Sequence, residues 1–349
     1  MAAVPSPRAR ARSLPALLLP LLILAGCAVG SGTPSASALA PTLAATLAPA
    51  PTAAAAAFPV TLTDDEGATI TIATKPKKIV SLTPASTEIL FAIGAGPSVV
   101  ATTNFDDYPP EAIPLPDVAT YTSVDVEKIV GLGTDLVIAG GNNFNPPASI
   151  AKLRSLGIPV IVTYAKDVAG VLSDMNLVGK AAGESAAADA LATSMGAQFD
   201  AIRTVTSGAP HPKVFYELDA TSKIYTTTDA SFLQEMIQIA GGDPITTGST
   251  TNSEIPLEKL IAANPAVIVL GDAAYGVTAA QVKARPGWAT IQAVQTGSIV
   301  GVNDIVVSRP GPRLVLGLLD LLRAIHPEIV LPAGLPSPVP AASPAASTP

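Results

Sequence analysis

The sequence predicts an α/β protein of two Rossmann-like lobes, each with a mostly parallel sheet, joined by a single long α-helix and leaving a ligand cleft between them. Three observations carry this. Short apolar runs alternate with stretches of helical period, as in parallel strands covered on both faces. From Glu184 to Val205 that alternation gives way to one Ala-rich, Pro-free stretch. In it Ala188, Leu191, Met195, Phe199 and Ile202 recur at spacings of three and four. Finally, Val124–Gly140 (VDVEKIVGLGTDLVIAG) repeats as Ile255–Gly271 (IPLEKLIAANPAVIVLG), with Glu127-Lys128 matching Glu258-Lys259 at an offset of 131 residues.

The elements follow in order. Val60–Leu62 and Thr69–Ile72 alternate like a hairpin about Asp65-Glu66-Gly67. Lys78–Leu82 reads as a buried strand running into Thr83-Pro84, an N-cap with Pro at the first helical position, and the helix closes at Gly94-Ala95-Gly96. Strands are expected at Val99–Ala101, Asp135–Ala139 and Ile158–Val162, with helices at Val126–Gly131, Ala148–Leu156 and Val168–Ala182. The long helix spans about 30 Å at ~1.5 Å per residue, and Ser207-Gly208-Ala209-Pro210 stops it. The pattern then restarts, with strands at Lys213–Glu217, Ala266–Leu270 and Ser298–Val302 and helices at Ser231–Ala240, Leu257–Ala263 and Pro312–Ile325. In open sheets of this kind ligands sit outside the carboxyl ends of the strands, and two such rims face each other here.

The ends differ from the middle. Arg8, Arg10 and Arg12 precede an apolar run from Leu14 to Leu24 that is short for a bilayer span. The run closes on Leu24-Ala25-Gly26-Cys27, which resembles a bacterial lipobox, and Cys27 is the single cysteine, so no internal disulfide forms. The expected organisation is a lipoprotein signal peptide over 1–26, then lipidated Cys27 with an Ala/Pro/Thr-rich tether to 57. A first lobe (58–183), the linking helix (184–206), a second lobe (207–334) and a Pro/Ser/Ala-rich tail (335–349) complete it. Acyl chains hold such a protein at a membrane without a spanning helix.

Composition narrows the function. A formal net charge of −7 with no basic run argues against a surface that tracks nucleic-acid phosphates. No Gly-x-Ser-x-Gly elbow appears, and His211 and His326 stand apart, each beside a proline, so neither a nucleophile–base pair nor a bare metal site is expected. A lipid-anchored enzyme is the remote alternative.

From Lys78 to Ile329 the chain resembles the class III, helical-backbone periplasmic binding proteins of ABC importers. The matching pieces are Ile79–Pro84 with Thr87-Glu88, Asp107-Tyr108-Pro109-Pro110-Glu111-Ala112, Val126–Val130 with Asp135–Ile138, Leu153–Val160, and Arg309-Pro310-Gly311-Pro312-Arg313. Asp-Tyr-Pro-Pro and its surroundings look most like the cobalamin-binding members. Those members tend to carry Trp where this chain has Tyr121 and Thr250-Thr251-Asn252. The resemblance implies a non-enzymatic, monomeric protein that captures a corrinoid, or alternatively a ferric siderophore or haem. It would deliver this ligand to a permease dimer driven by separate ATPase subunits, with no permanent cofactor and no resident metal. It also implies that Glu127 and Glu258 dock onto permease arginines.

Several residues are expected to line the cleft. From the first lobe these are Phe105, Tyr108, Tyr121, Phe144 and Tyr164, with Asn142 and Asn143 (and neighbouring Asn145) either bonding ligand amides or making a turn. From the second lobe they are Tyr225, Tyr275, Asp304 and Arg309, Arg309 being suited to a carboxylate or phosphate, whereas Arg313 is expected on a solvated helix face.

Overall fold

A computed structural model describes residues 58–141, 144–331 and 334–335. The expected signal peptide, Cys27, the expected tether, Asn142, Asn143 and the residues beyond Leu335 lie outside these residues.

Strands β1 (Val60–Thr63) and β2 (Thr69–Ile72) pair antiparallel, Ile70 and Ile72 facing inward and the threonines outward. The first lobe then runs β3 (Ile79–Ser81), α1 (Pro84–Ala92), β4 (Val99–Thr103), β5 (Asp117–Ala119), α2 (Val126–Gly131), β6 (Leu136–Gly140), α3 (Pro147–Ser155) and β7 (Val160–Thr163). Its five strands are parallel in the order β5-β4-β3-β6-β7. Helix α4 (Val168–Ala182) starts on the Asp167 side chain, which accepts the Gly170 N–H, and ends at Gly183 with φ 77°. The turn leads directly into the 22-residue α5 (Ser185–Thr206).

The second lobe comprises β8 (Lys213–Glu217), α6 (Phe232–Ile239), β9 (Asp243–Pro244), α7 (Leu257–Ala263), β10 (Val267–Leu270), α8 (Ala279–Lys283), α9 (Gln292–Thr296), β11 (Ile299–Gly301), α10 (Asp304–Ser308) and α11 (Leu314–Ile325). Its parallel order, β11-β10-β8-β9, reproduces β7-β6-β3-β4 of the first lobe; among the described residues β5 and the β1–β2 hairpin lack a counterpart. The α/β class, the two parallel sheets and the long connecting helix agree with the sequence.

The packing refines the picture of a lone strut. Helix α5 lies along α4, and one continuous apolar core runs from Ile79 and Leu136 through Met175, Met195 and Phe199 to Val214, Val269 and Leu318. Separate clusters fill the outer faces, one around Val80 and Val137 and the other around Phe215 and Trp288. The α4–α5 approach is close enough that a Cβ on Gly179 would lie 2.2 Å from the Ala188 Cβ. Gly179→Ala should therefore cost about 1–3 kcal/mol by overpacking, read as a lowered urea midpoint at constant slope.

Candidate functional site

The cavity forms where the carboxyl ends of β3, β4, β6 and β7 meet the second lobe. Thr83 turns the chain from β3 into α1, its hydroxyl accepting the Ser86 N–H at 3.1 Å within a buried set of hydroxyls that includes Ser81 and Thr87. Past β6, Asn145 pins the loop: its Oδ1 accepts the Gly140 N–H at 2.7 Å and its amide donates to the Leu82 carbonyl at 3.2 Å. For Asn145 the structure thus supplies a turn role. A side chain at Gly140 would collide with Thr83 and Phe144, so the glycine makes room for the Phe144 ring.

Phe105, Tyr121, Phe144 and Tyr164 line this cavity of about 460 Å³ from the first lobe, and Arg309 with Phe232 closes it from the second. Phe105 and Tyr121 stack at 4.2 Å with their planes 6° apart, and Phe144 stands edge-on to both at 6.0 and 6.3 Å. These are favourable ring geometries, yet Tyr121 remains 70% exposed. The result is a flat apolar wall with an open face.

Across the lobe boundary lies an ionic quartet that sequence reasoning missed. Glu88 on α1 has a side chain only 1% exposed. It accepts two hydrogen bonds from Arg313, at 2.9 Å (Nε) and 2.5 Å (Nη2), and one from Arg309 at 3.5 Å. Arg309 also pairs with Asp107 and donates to the Phe105 carbonyl at 3.5 Å. Arg313 is thus a half-buried partner of the opposite lobe rather than a fully solvated residue, because the chain entering α11 runs against α1. Its guanidinium lies 4.2 Å from the Tyr108 ring centre. Tyr108 consequently lines a second cavity of about 830 Å³, beside Phe91, Pro109 and Pro312, and not the cleft.

The other second-lobe candidates are not among the residues lining this cavity. Asp304 accepts the Tyr216 hydroxyl at 2.7 Å. Burial first, and then the charge and hydrogen bond of Asp304, push Tyr216 well above the ordinary tyrosine range. Tyr225 is held in backbone bridges to Asp219 and Glu254, and Tyr275, on the turn after β10, is 84% exposed. Below this rim Glu217 is fully buried in a bidentate pair with Arg285, at 2.6 and 2.7 Å. Burial first, and then the Glu217 charge, raise nearby Asp272 to about 7.

Glu127 and Glu258 occupy equivalent exposed positions in the first turns of α2 and α7. Among the described residues neither has a salt-bridge partner. The lysine following each is folded back onto its own lobe: Lys128 donates to the Asp117 carbonyl at 2.9 Å and Lys259 to the Thr247 carbonyl at 2.6 Å. The repeat seen in the sequence thus puts Glu127 and Glu258 at matching exposed positions, each without a salt-bridge partner among the described residues.

His326 is buried between Glu328 (2.9 Å) and the Gly241 carbonyl (3.2 Å), a structural setting, and His211 is exposed. Among the described residues no cluster of three His, Cys, Asp or Glu forms a metal site, and no helix is long and apolar enough to cross a membrane.

Two facing lobes of like topology, a single connecting helix pair and a cleft walled by aromatics define a ligand-holding architecture, and comparison assigns its family. The profile described as periplasmic binding protein matches residues 79–305. The chain belongs to the periplasmic binding protein family of ABC-transporter substrate-binding proteins. An uncharacterized ABC-transporter substrate-binding lipoprotein of Bacillus subtilis, YvrC, is 34% identical over 78% of this chain and 87% of its own length. A cobalamin-binding protein of Halobacterium salinarum is 30% identical over 78% of this chain and 75% of its own. Among solved structures, the apo periplasmic haem-binding protein RhuT of Roseiflexus sp. RS-1 matches with a TM-score of 0.63 and 27% identity, covering 72% of this chain and 98% of that one. Members of this family are non-enzymatic, extracytoplasmic solute-binding proteins, and membership implies a small transported ligand and a permease partner.

Proposed function

We propose that this binding protein is anchored at the outer face of the cytoplasmic membrane through Cys27, captures a corrinoid in its cleft, and hands it to an ABC permease through Glu127 and Glu258. The observation that carries the ligand reading is the Phe105–Tyr121 stack with Phe144 at its edge, facing Arg309 across the cavity. A broad ring system with polar substituents fits a flat apolar wall opposed by a few fixed polar groups. The similarity to a cobalamin-binding protein supports the choice. Two exposed, unpaired carboxylates at repeat-related positions support docking, where rim charges set orientation and rate.

Calorimetric titration of the purified chain with cyanocobalamin tests the ligand. A stoichiometric response is expected, and Tyr121→Ala should weaken it about tenfold, the equivalent of ~1.4 kcal/mol of lost ring contact. Absence of heat from the folded protein would overturn the corrinoid assignment. Haem is the second reading, favoured by Tyr164 on the cavity wall, since a phenolate oxygen is a known haem-iron ligand. A haemin Soret shift that Tyr164→Phe abolishes would establish it instead.

A further inference from the structure

Asp174 lies mid-helix in α4, is 4% exposed, and lines the cleft cavity together with Tyr164 and Phe232. A buried carboxylate ordinarily finds a cation or N–H donors. Among the described residues Asp174 is paired with neither, and faces another carboxyl, Asp65, on the turn between β1 and β2. Asp65, exposed and outside the cavity lining, is tied to the wall from behind: its Oδ2 accepts the Tyr164 N–H at 2.5 Å, and its own N–H donates to the Val162 carbonyl at 3.1 Å. Asp64 beside it takes Arg154 at 2.7 Å and the Val162 N–H at 3.2 Å. Two successive aspartates thus fasten the hairpin turn to the end of β7, behind the wall that carries Tyr164.

Two carboxyls within hydrogen-bond reach stay together when they share one proton. Burial, and then the hydrogen bond and charge of Asp65, push Asp174 up to about 9, so it holds that proton in neutral solution. The other charged groups on elements packed against α4 do not relieve it. Glu88 is taken by Arg313, Glu235 by Arg203 and the Val168 N–H, Glu184 by Lys75 and Asp200 by Arg203, while Asp189 is exposed.

We propose that Asp174 and Asp65 form a one-proton acid pair that reads the edge of the bound ligand, accepting hydrogen bonds from side-chain amides and repelling a carboxylate-bearing rim. The pair carries a single negative charge and has lone pairs to spare, so an amide N–H is matched and an anionic group is opposed. The inference rests on the reading of this cavity as the ligand site, and it names the chemistry by which an amide-fringed chelate is preferred to a carboxylate-fringed one.

The acid pair is tested first without ligand. Infrared difference spectra of the whole chain at pH 7 should show the carbonyl stretch of a protonated carboxylic acid that Asp174→Asn removes. The stability profile gives a second reading. Between the ordinary value of 3.8 and about 9 the native state binds more protons than the unfolded chain, so wild-type stability falls as pH rises through that window. Asp320, raised by burial to about 6, and Asp272, raised to about 7, contribute a fall of the same sign in the lower part of the window, so Asp174→Asn should flatten the profile above about 7, where Asp174 alone acts. Ligand reading is tested with cyanocobalamin and haemin as probes. Asp174→Ala should weaken cyanocobalamin about tenfold while Asp174→Asn, which still donates to Asp65 and still offers a carbonyl, stays within about threefold of wild type. Asp65→Asn, which removes the charge, should tighten haemin. A wild-type spectrum without the acid band, or Asp174→Ala binding cyanocobalamin as tightly as wild type, overturns the proposal. If wild type binds haemin alone, the corrinoid reading falls, and a haemin affinity unchanged by Asp65→Asn overturns the acid pair's role as well. If it binds neither probe, both the cleft reading and the role resting on it are overturned, and the band reports only the proton.

Discussion

A chain carrying Glu127→Ala and Glu258→Ala together should bind its ligand as tightly as the parent and deliver none of it to the transporter. Both side chains are exposed, and neither is among the residues lining the cleft. As isolated surface charges they add little to stability, so folding should be unchanged. On a permease they would become desolvated charge partners, and truncating one side of such a pair costs about 2–5 kcal/mol. Losing both removes the orientation that places the cleft over the translocation path. Each single variant should retain partial uptake, because the other lobe still docks. The measurement pairs vesicle uptake with calorimetric affinity; reduced affinity in the double variant, or undiminished uptake, would refute the docking role.

Glu88→Ala should destabilise the fold by about 3–5 kcal/mol, the usual cost of removing one partner from a buried ion pair. The carboxylate is almost fully enclosed, and both guanidiniums it holds come from the other lobe. Arg309 and Arg313 retain about a fifth of their side-chain exposure, so some rehydration follows and the lower end of the range is expected. Glu88→Gln keeps the shape without the charge and should lose less. Urea unfolding gives the magnitude, and a reduced slope would reveal lobes that no longer unfold together. A double-mutant cycle with Arg313→Ala should show strong coupling; additive losses would mean the two side chains act independently.

Much of this was legible in the residues. Helix α4 was bounded at both ends because Asp167 caps it and Gly183 takes the left-handed turn. The repeat placed α2 with β6 and α7 with β10. By contrast, β5 has three residues and β9 two, one of them proline, too short for a period-two signal. Helices α8, α9 and α10 have five residues each, under two turns. The structure gathers Phe105, Tyr121, Phe144 and Tyr164 around one cavity because their loops leave strand ends at one rim, and Arg309, at the end of α10, meets them from the second lobe. Tyr225 follows a strand too, but there the chain folds back into bridges. Glu88 and Asp174 went unread because each sits inside an apolar helix. The only sign was a charge on a face that should have been buried, and which partner it meets depends on the other lobe or on a distant turn.

The single crossing between the sheets has a bearing on how such a molecule diversifies. Among the described residues no strand is exchanged between the two parallel sheets, so each is specified by an uninterrupted stretch of gene, and the junction falls at Gly183 between α4 and α5, outside the cavity lining. A chimera cut there would transplant the aromatic wall as one cassette while leaving the recipient's Glu258 in place. The donor would then supply the wall and Glu127 and the host Arg309 and Glu258, with the donor's own α4 seated against the host's α5.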